Sequence, residues 1–371
     1  MHIEKIETIH VAVPLHTPFK TALRTVTVAE SVVVKITCDN GITGYGEAPP
    51  THVITGDSLE SIDFAVTKVI TPQLIGQSLL FSERIFEKIH NVLVGNTSAK
   101  AAVDIAVYDC LAQQADLPLS QFLGGYHEEI ETDYTVSVNS TTEMAADAVK
   151  YCQNGFSVLK VKVGKDKIAT DIKRIQAIRE KAGDDVLIRL DANQGWKPKE
   201  AVRAINEMEK LGLAVELVEQ PVKAHDMEGL KYVTDHTDTM IMADESVFSP
   251  RDAARVLQTR SADLINIKLM KAGGIHEAMK IAKLAAIYGV ECMVGSMIET
   301  KIGITAAANF AASQPNITRF DFDAPLMLVG DVIEEGGISY EGKKIHLNKQ
   351  AGLGINKLSE EFFSKGDTAN V

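Results

Sequence analysis

The chain has 371 residues, 45% of them hydrophobic and 24% charged, with a formal net charge of −12. That balance belongs to a soluble globular protein long enough for one large domain and a smaller companion. An acidic chain without a Lys/Arg-rich block argues against nucleic acid or an anionic membrane as its main partner.

The opening residues, MHIEKIETIHVAVPL, mix charges with apolar positions. They lack the unbroken apolar core of a signal peptide. No apolar run approaches the roughly 18 residues that a membrane helix needs. Cys38, Cys110, Cys152 and Cys292 are scattered without CxxC spacing. They read as reduced thiols in a cytoplasmic protein.

IHVAVPL and SVVVKITCDNGITGYGEA predict strands, with Asn40-Gly41 as a hairpin turn. HTPFKTALRTVTVAE between them reads as a polar loop around Phe19 and Arg24. Helical patterns follow at roughly 59 to 75, 82 to 94 and 97 to 115. FLGGY, residues 122 to 126, closes this region. Residues 1–127 are therefore expected to form an α+β domain.

From about residue 128 the pattern changes. Eight short apolar runs alternate with amphipathic helical segments: DYTVSV, SVLKVKV, VLIRLDAN, VELVEQP, MIMADES, LINIKLM, ECMVGSM and TRFDFDAP. Strand, helix and strand in repetition imply a parallel sheet, and eight such units imply a closed (β/α) barrel over 128–328. Residues 329–371 leave the pattern and are expected to return to the first domain.

In a barrel, chemistry gathers where the strands end. The polar residues there are Thr135, Lys160 with Lys162, Asp191 with Asn193, Glu219, Asp244 with Glu245, Lys268, Ser296, and Asp321 with Asp323. From Lys162 to Asp321 they recur every 24 to 29 residues, about one βα unit. Any one acid here could instead cap the helix that follows. Three on successive strands, Asp191, Glu219 and Asp244, would repel one another unless a cation joined them. An all-oxygen set favours Mg²⁺, with Mn²⁺ as the other candidate.

Lys160 and Lys162 point the same way from one strand. Lys268 lies on the other side of the acids. Such a pair suits removal of a proton from one face of a carbon and its return to the other. The base must be a neutral amine, and a neighbouring lysine and a metal ion both push its pKa down. An exposed strand end is the plain alternative for two lysines.

KVK, DAN, VEQP, ADES and NIKLMKAGG together resemble the enolase superfamily, in its muconate-lactonizing subgroup. AAVDIAVYDCLAQQADLPLSQFLGG resembles the last helix of that family's capping domain. The likeness implies a modified TIM-like barrel under an N-terminal α+β capping domain. It implies Asp191, Glu219 and Asp244 as metal ligands, Lys162 and Lys268 as the acid/base pair, and Lys160 as an electrostatic helper. It also implies a homo-oligomer.

Members differ in substrate. In RFDFDAP, Asp321 and Asp323 face the same side, and two acids in the pocket call for a cation in the substrate. A dipeptide's α-ammonium fits; the substrate of a cycloisomerase or o-succinylbenzoate synthase does not. This feature resembles the dipeptide epimerases of the superfamily and implies an Ala-Glu dipeptide, of the kind released from cell-wall peptides. N-acylamino acid racemase, o-succinylbenzoate synthase and muconate cycloisomerase are the alternatives. The likeness also implies that capping-domain loops cover the substrate, here around residues 17 to 28 and 49 to 57, and Arg24 in the first is the candidate for a glutamyl carboxylate. Thr135, Ser296 and Ile298 are candidates to line the pocket. Gly46, Glu47, Gly124 and Gly125 read as structural. A barrel kept only as a binding protein has no use for a full acid, base and metal set.

Overall fold

The computed structural model describes residues 1–364. Three antiparallel strands open the chain: β1 (Ile3–Lys20), β2 (Thr25–Cys38) and β3 (Thr43–Ala48). The polar stretch expected as a loop is mostly strand. Pairing of β1 with β2 reaches Phe19↔Val26 and Lys20↔Thr25 after an irregularity at Pro14, so only residues 21–24 turn. Pairing of backbone groups outweighs the polar composition, because one face of the ribbon, including Phe19, is buried.

The run Val32-Val33-Val34 in β2 is continuous rather than alternating because both faces are covered. Val33 joins the core shared with the barrel, whereas Val32, Val34 and Ile36 pack with the capping helices. The helix Thr97–Gln114 lies across this sheet and is buried nearly all round, which suits its many alanines. At Gly46 the two backbones approach so closely that a Cβ would stand 1.9 Å from the Ala102 carbonyl oxygen. Sequence placed one helix near 59 to 75; the chain there runs helix, π-helical turn, helix from Leu59 to Leu74.

After β4 (Glu129–Glu131) comes a parallel eight-stranded sheet: β5 (Tyr134–Val136), β6 (Val158–Lys162), β7 (Leu187–Asp191), β8 (Val215–Glu219), β9 (Met240–Ala243), β10 (Leu264–Ile267), β11 (Cys292–Val294) and β12 (Ile317–Phe320). They stand in simple chain order, and the sheet curls until Asp133 N–H donates to the Phe320 carbonyl at 3.2 Å. Among the described residues, a helix fills each of the seven strand-to-strand connections, from Thr141–Gln153 to Lys301–Ala312. An eighth unit, expected from sequence, is not completed. After β12 come one 3₁₀ turn, Ala324–Met327, and then short strands. Pro325 and Gly330 interrupt any helical run there.

Those strands are β13 (Ile333–Gly336), β14 (Ser339–Glu341), β15 (Lys344–His346) and β16 (Ile355–Leu358). β15 pairs with β4, and isolated bridges join Val11 to Phe363 and Leu15 to Leu328. The segment after 328 therefore touches the first sheet again, and 365–371 lie outside the described residues. Cys38, Cys110, Cys152 and Cys292 are free thiols. Among the described residues, no helix is long and apolar enough to cross a membrane.

Candidate active site

Parallel register brings the charged residues to one level. Lys162 stands beside Asp191, and Asp191 beside Glu219. Asp244 follows β9 directly, and Lys268 follows β10. All are buried. The loops that leave this level are strained: Asn193 and Gln220, just past two of the acids, adopt positive φ of 41° and 37°.

Asp191, Glu219 and Asp244 each offer an oxygen within 4.8 Å of the others. Such a group fits a hard divalent cation. The Lys160 and Lys271 ammoniums come within 2.8 and 2.6 Å of Glu219 Oε2 and Asp244 Oδ1, but at angles that make no hydrogen bond. Two buried carboxylate oxygens thus face ammoniums without accepting a hydrogen bond. Asn193 N–H donates to Asp191 Oδ1 at 2.9 Å, and the Asn266 amide to Glu219 Oε1 at 2.9 Å. These donors fix the carboxylates in orientation.

The lysines interleave with the acids. Lys162 Nζ donates to Asp191 Oδ2 at 2.5 Å and Lys268 Nζ to Asp244 Oδ2 at 2.7 Å. Lys160 Nζ sits 2.7 Å from Asp321, 2.8 Å from Glu219 and 3.4 Å from Asp191. Burial opposes their charge, yet Asp321 and Glu219 hold the Lys160 pKa well above the ordinary lysine value, and Asp244 with Glu219 raise that of Lys268. The groups nearest to these two lysines are carboxylates, and they outweigh the neighbouring lysines. Glu219, by contrast, is pushed up to about 8 by burial and by Asp191. Burial also raises Asp191 and Asp244, but the lysines beside them win and keep both below the usual carboxylate range.

A cavity opens above this floor. Lys162, Lys268, Arg24, Thr135, Ser296, Ile298, Asp321 and Asp323 all line it, so every residue singled out from sequence lies in it or directly beneath it. Asp321 is not free for a substrate cation alone, because Lys160 holds one of its oxygens at 2.7 Å. Asp323 accepts from Thr135 N–H at 2.6 Å, and burial beside Asp321 pushes its pKa up to about 7. Arg24 is partly buried, its pKa lowered by burial, and among the described residues no acid offsets that cost.

Sequence reasoning missed several residues. Asn266 lies two before Lys268 on the same strand face, so the alternation that paired Lys160 with Lys162 would have found it. Lys271 reaches back to Asp244 from the short helix Leu269–Ala272 and also donates to the Asn266 carbonyl at 3.1 Å. Glu245, which the strand-end pattern already set beside Asp244, is buried there, its pKa pushed up to about 7 by burial and that charge. Met297 lines the cavity, as do Val53 and Ile54 from the expected covering loop at 49 to 57, and the Phe19 ring, in the other such loop, lies 5.8 Å from Lys162 Nζ. No periodic signal marks these wall residues.

A capping sheet over a curled eight-stranded parallel sheet, with acids on successive strand ends between two lysines, defines an enolase-type protein. Residues 143–361 match the enolase C-terminal domain-like family, and residues 3–124 match the mandelate racemase / muconate lactonizing enzyme N-terminal domain. The chain belongs to this family. It is 65% identical over 355 residues to the L-Ala-D/L-Glu epimerase of Bacillus subtilis, covering 96% of this chain and 97% of that one. It superposes with a TM-score of 0.96, at 64% identity, on a substrate-liganded complex of the L-Ala-D/L-Glu epimerase from that organism, covering 97% of this chain and all of the other. A dipeptide epimerase from Enterococcus faecalis, complexed with Mg and L-Leu-L-Tyr, superposes with a TM-score of 0.93 at 44% identity, covering 96% and 100% of the two chains.

Proposed function

We propose that this protein is an isomerase, a dipeptide epimerase that inverts the α-carbon of the C-terminal residue, with L-Ala-D/L-Glu as its favoured substrate. One observation carries the reading: Lys162 and Lys268 line one cavity from strands on either side of three clustered acids. The kinship to dipeptide epimerases supports it.

Asp191, Glu219 and Asp244 would hold Mg²⁺. When bound, the ion stabilises negative charge on the substrate's carboxylate. The chain's own residues do the rest. One lysine, neutral, takes the α-proton from one face. The other, protonated, returns a proton to the opposite face. After turnover their protonation states are exchanged, so the reverse reaction starts from the product. Lys160 stays charged between Asp321, Glu219 and Asp191 and offsets developing negative charge. Asp323 accepts the dipeptide's ammonium, and Arg24 meets the glutamyl carboxylate in a bidentate pair that would offset its burial. Thr135 holds Asp323; Ser296 and Ile298 face the side chain.

The pairing of Asp321 with Lys160 favours a second reading, an N-acylamino acid racemase, whose substrate lacks the ammonium. Incubation of the protein and Mg²⁺ in D₂O with L-Ala-L-Glu and with N-succinyl-L-Glu separates the two. Mass spectrometry is expected to find deuterium at the α-carbon of the dipeptide's Glu and little in the acylated amino acid. Label only in the latter would overturn the dipeptide reading and keep the lysine chemistry. Its setting would be the cytoplasm, in turnover of cell-wall peptides, as a homo-oligomer.

A further inference from the structure

Glu47, in β3 of the capping sheet, is fully buried and touches none of the lysines or acids of the floor. Its carboxylate collects four donors. Ser31 Oγ and Thr300 N–H reach Oε1 at 2.7 and 2.8 Å. Thr300 Oγ1 and Gly303 N–H reach Oε2 at 2.6 and 2.7 Å. Thr300 caps the helix Lys301–Ala312, so this capping-domain acid sits on the positive end of a barrel helix. Gly303 leaves room for it: a Cβ there would stand 3.1 Å from Glu47 Oε2 and 2.3 Å from Glu299 Oε2.

Three arms run from this carboxylate to the pocket, all short. Beyond Glu47 come Ala48, Pro49 and Pro50, whose rings fix φ, and then a compact turn in which the Thr51 carbonyl accepts from Ile54, Thr55 and Gly56 N–H. That turn carries Val53 and Ile54. On the barrel side, Glu299 precedes Thr300, and its Oε1 accepts from Met297 N–H at 2.8 Å, which fixes the loop holding Ile298. Ser31 belongs to β2, the strand that begins just after Arg24. A second cavity, between β2 and residues 49–53, shares Arg24, Val53 and Ile298 with the first.

We propose that Glu47 is a positioning residue that sets the spacing between Arg24, Val53 and Ile298, and thereby the selection of the substrate's C-terminal side chain. The inference rests on the reading of this cavity as a dipeptide side-chain pocket. Loss of the Glu47 charge leaves the lysines and acids in place, since their contacts do not involve it.

The test compares L-Ala-L-Glu with L-Ala-L-Ala in the wild type, in Glu47→Gln and in Thr300→Val, each with Mg²⁺. In Glu47→Gln, KM for the glutamyl dipeptide is expected to rise about tenfold while kcat changes far less, because ground-state fit is lost and proton transfer is not. The kcat/KM ratio of the two dipeptides should fall by about the same factor. Thr300→Val removes the hydroxyl donor from the barrel side of the contact and should shift the ratio in the same direction, which keeps the proposal testable if Glu47→Gln does not fold. An equal loss on both dipeptides, or none, overturns it and leaves a purely structural clamp. Wild-type protein inert to both dipeptides overturns the substrate reading, and this proposal with it; wild-type activity with an unshifted ratio overturns this proposal alone.

Discussion

The floor of the cavity and its outer wall are held in different ways. At the floor, Asp191, Glu219 and Asp244 each meet lysine ammoniums, and Asp191 and Glu219 also accept from neutral donors, all at strand ends. At the wall, Arg24 has burial without a partnering acid, and Val53 is 47% exposed. The floor is determined many times over by charge; the wall is set by a few loop positions. On the proposed function, reaction type would belong to the first region and substrate choice to the second, so that one could change without the other.

The sharpest way to break this division is at a lysine. Lys162→Ala and Lys268→Ala should each cut epimerisation by on the order of 10³-fold. Each variant should still exchange the α-proton of one epimer with D₂O, because the other lysine remains. Exchange of both epimers at wild-type rates in either variant would reject the two-base assignment. Next in size is Arg24→Met. It should lower kcat/KM for L-Ala-L-Glu by about 10²-fold, as loss of a charged hydrogen-bonding pair does, and leave L-Ala-L-Ala nearly unaffected. A parallel loss on both would move Arg24 from the wall to the scaffold.

A smaller effect concerns Asp323, whose pKa is pushed up to about 7 by burial and by Asp321. Its charged form increases as pH rises through 7, so KM for a dipeptide with a free ammonium should fall over that range. Asp323→Asn should make KM high and flat with pH, and a profile that kept its slope would assign the titration elsewhere. The smallest effect is on stability. Glu299 is pushed up to about 8 by burial and by Glu47, against an ordinary 4.5. The folded protein then binds its proton more tightly than the unfolded chain does. The stability it contributes is full below about 4.5 and is lost as pH rises through about 8. Thermal midpoints between pH 5 and 9 should decline less steeply in Glu299→Gln than in the wild type. Equal slopes would mean that the proton is held elsewhere.

This contrast also explains what could be read from sequence. The parallel sheet was legible because strand and helix alternate at regular intervals, and the charged floor because its residues recur with the same rhythm. Asn266 escaped notice although the same alternation marks it. Lys271 approaches Asp244 only through a short helix that carries no period. Val53 and Ile54 come from a turn in another domain and have no periodic relation to the barrel. Glu47 was read as structural; its four donors come from Ser31, Thr300 and Gly303, and no local pattern shows which helix end a buried acid will meet. The eighth helix was expected by extrapolating the repeat, and the proline and glycine after Asp323 ended it.

The strand pairings at the end of the chain bear on how the protein is made. β1 leaves the ribosome well before the residues that its Val11 and Leu15 bridge, Phe363 and Leu328. Asp109, in the capping helix, likewise waits for Leu353 N–H, which it accepts at 2.8 Å. During vectorial synthesis the hairpin that carries Phe19 and Arg24 thus emerges with part of its edge uncovered. A segment translated before the barrel is completed only after it, and nascent chains stalled before residue 328 should expose it to protease or chaperone.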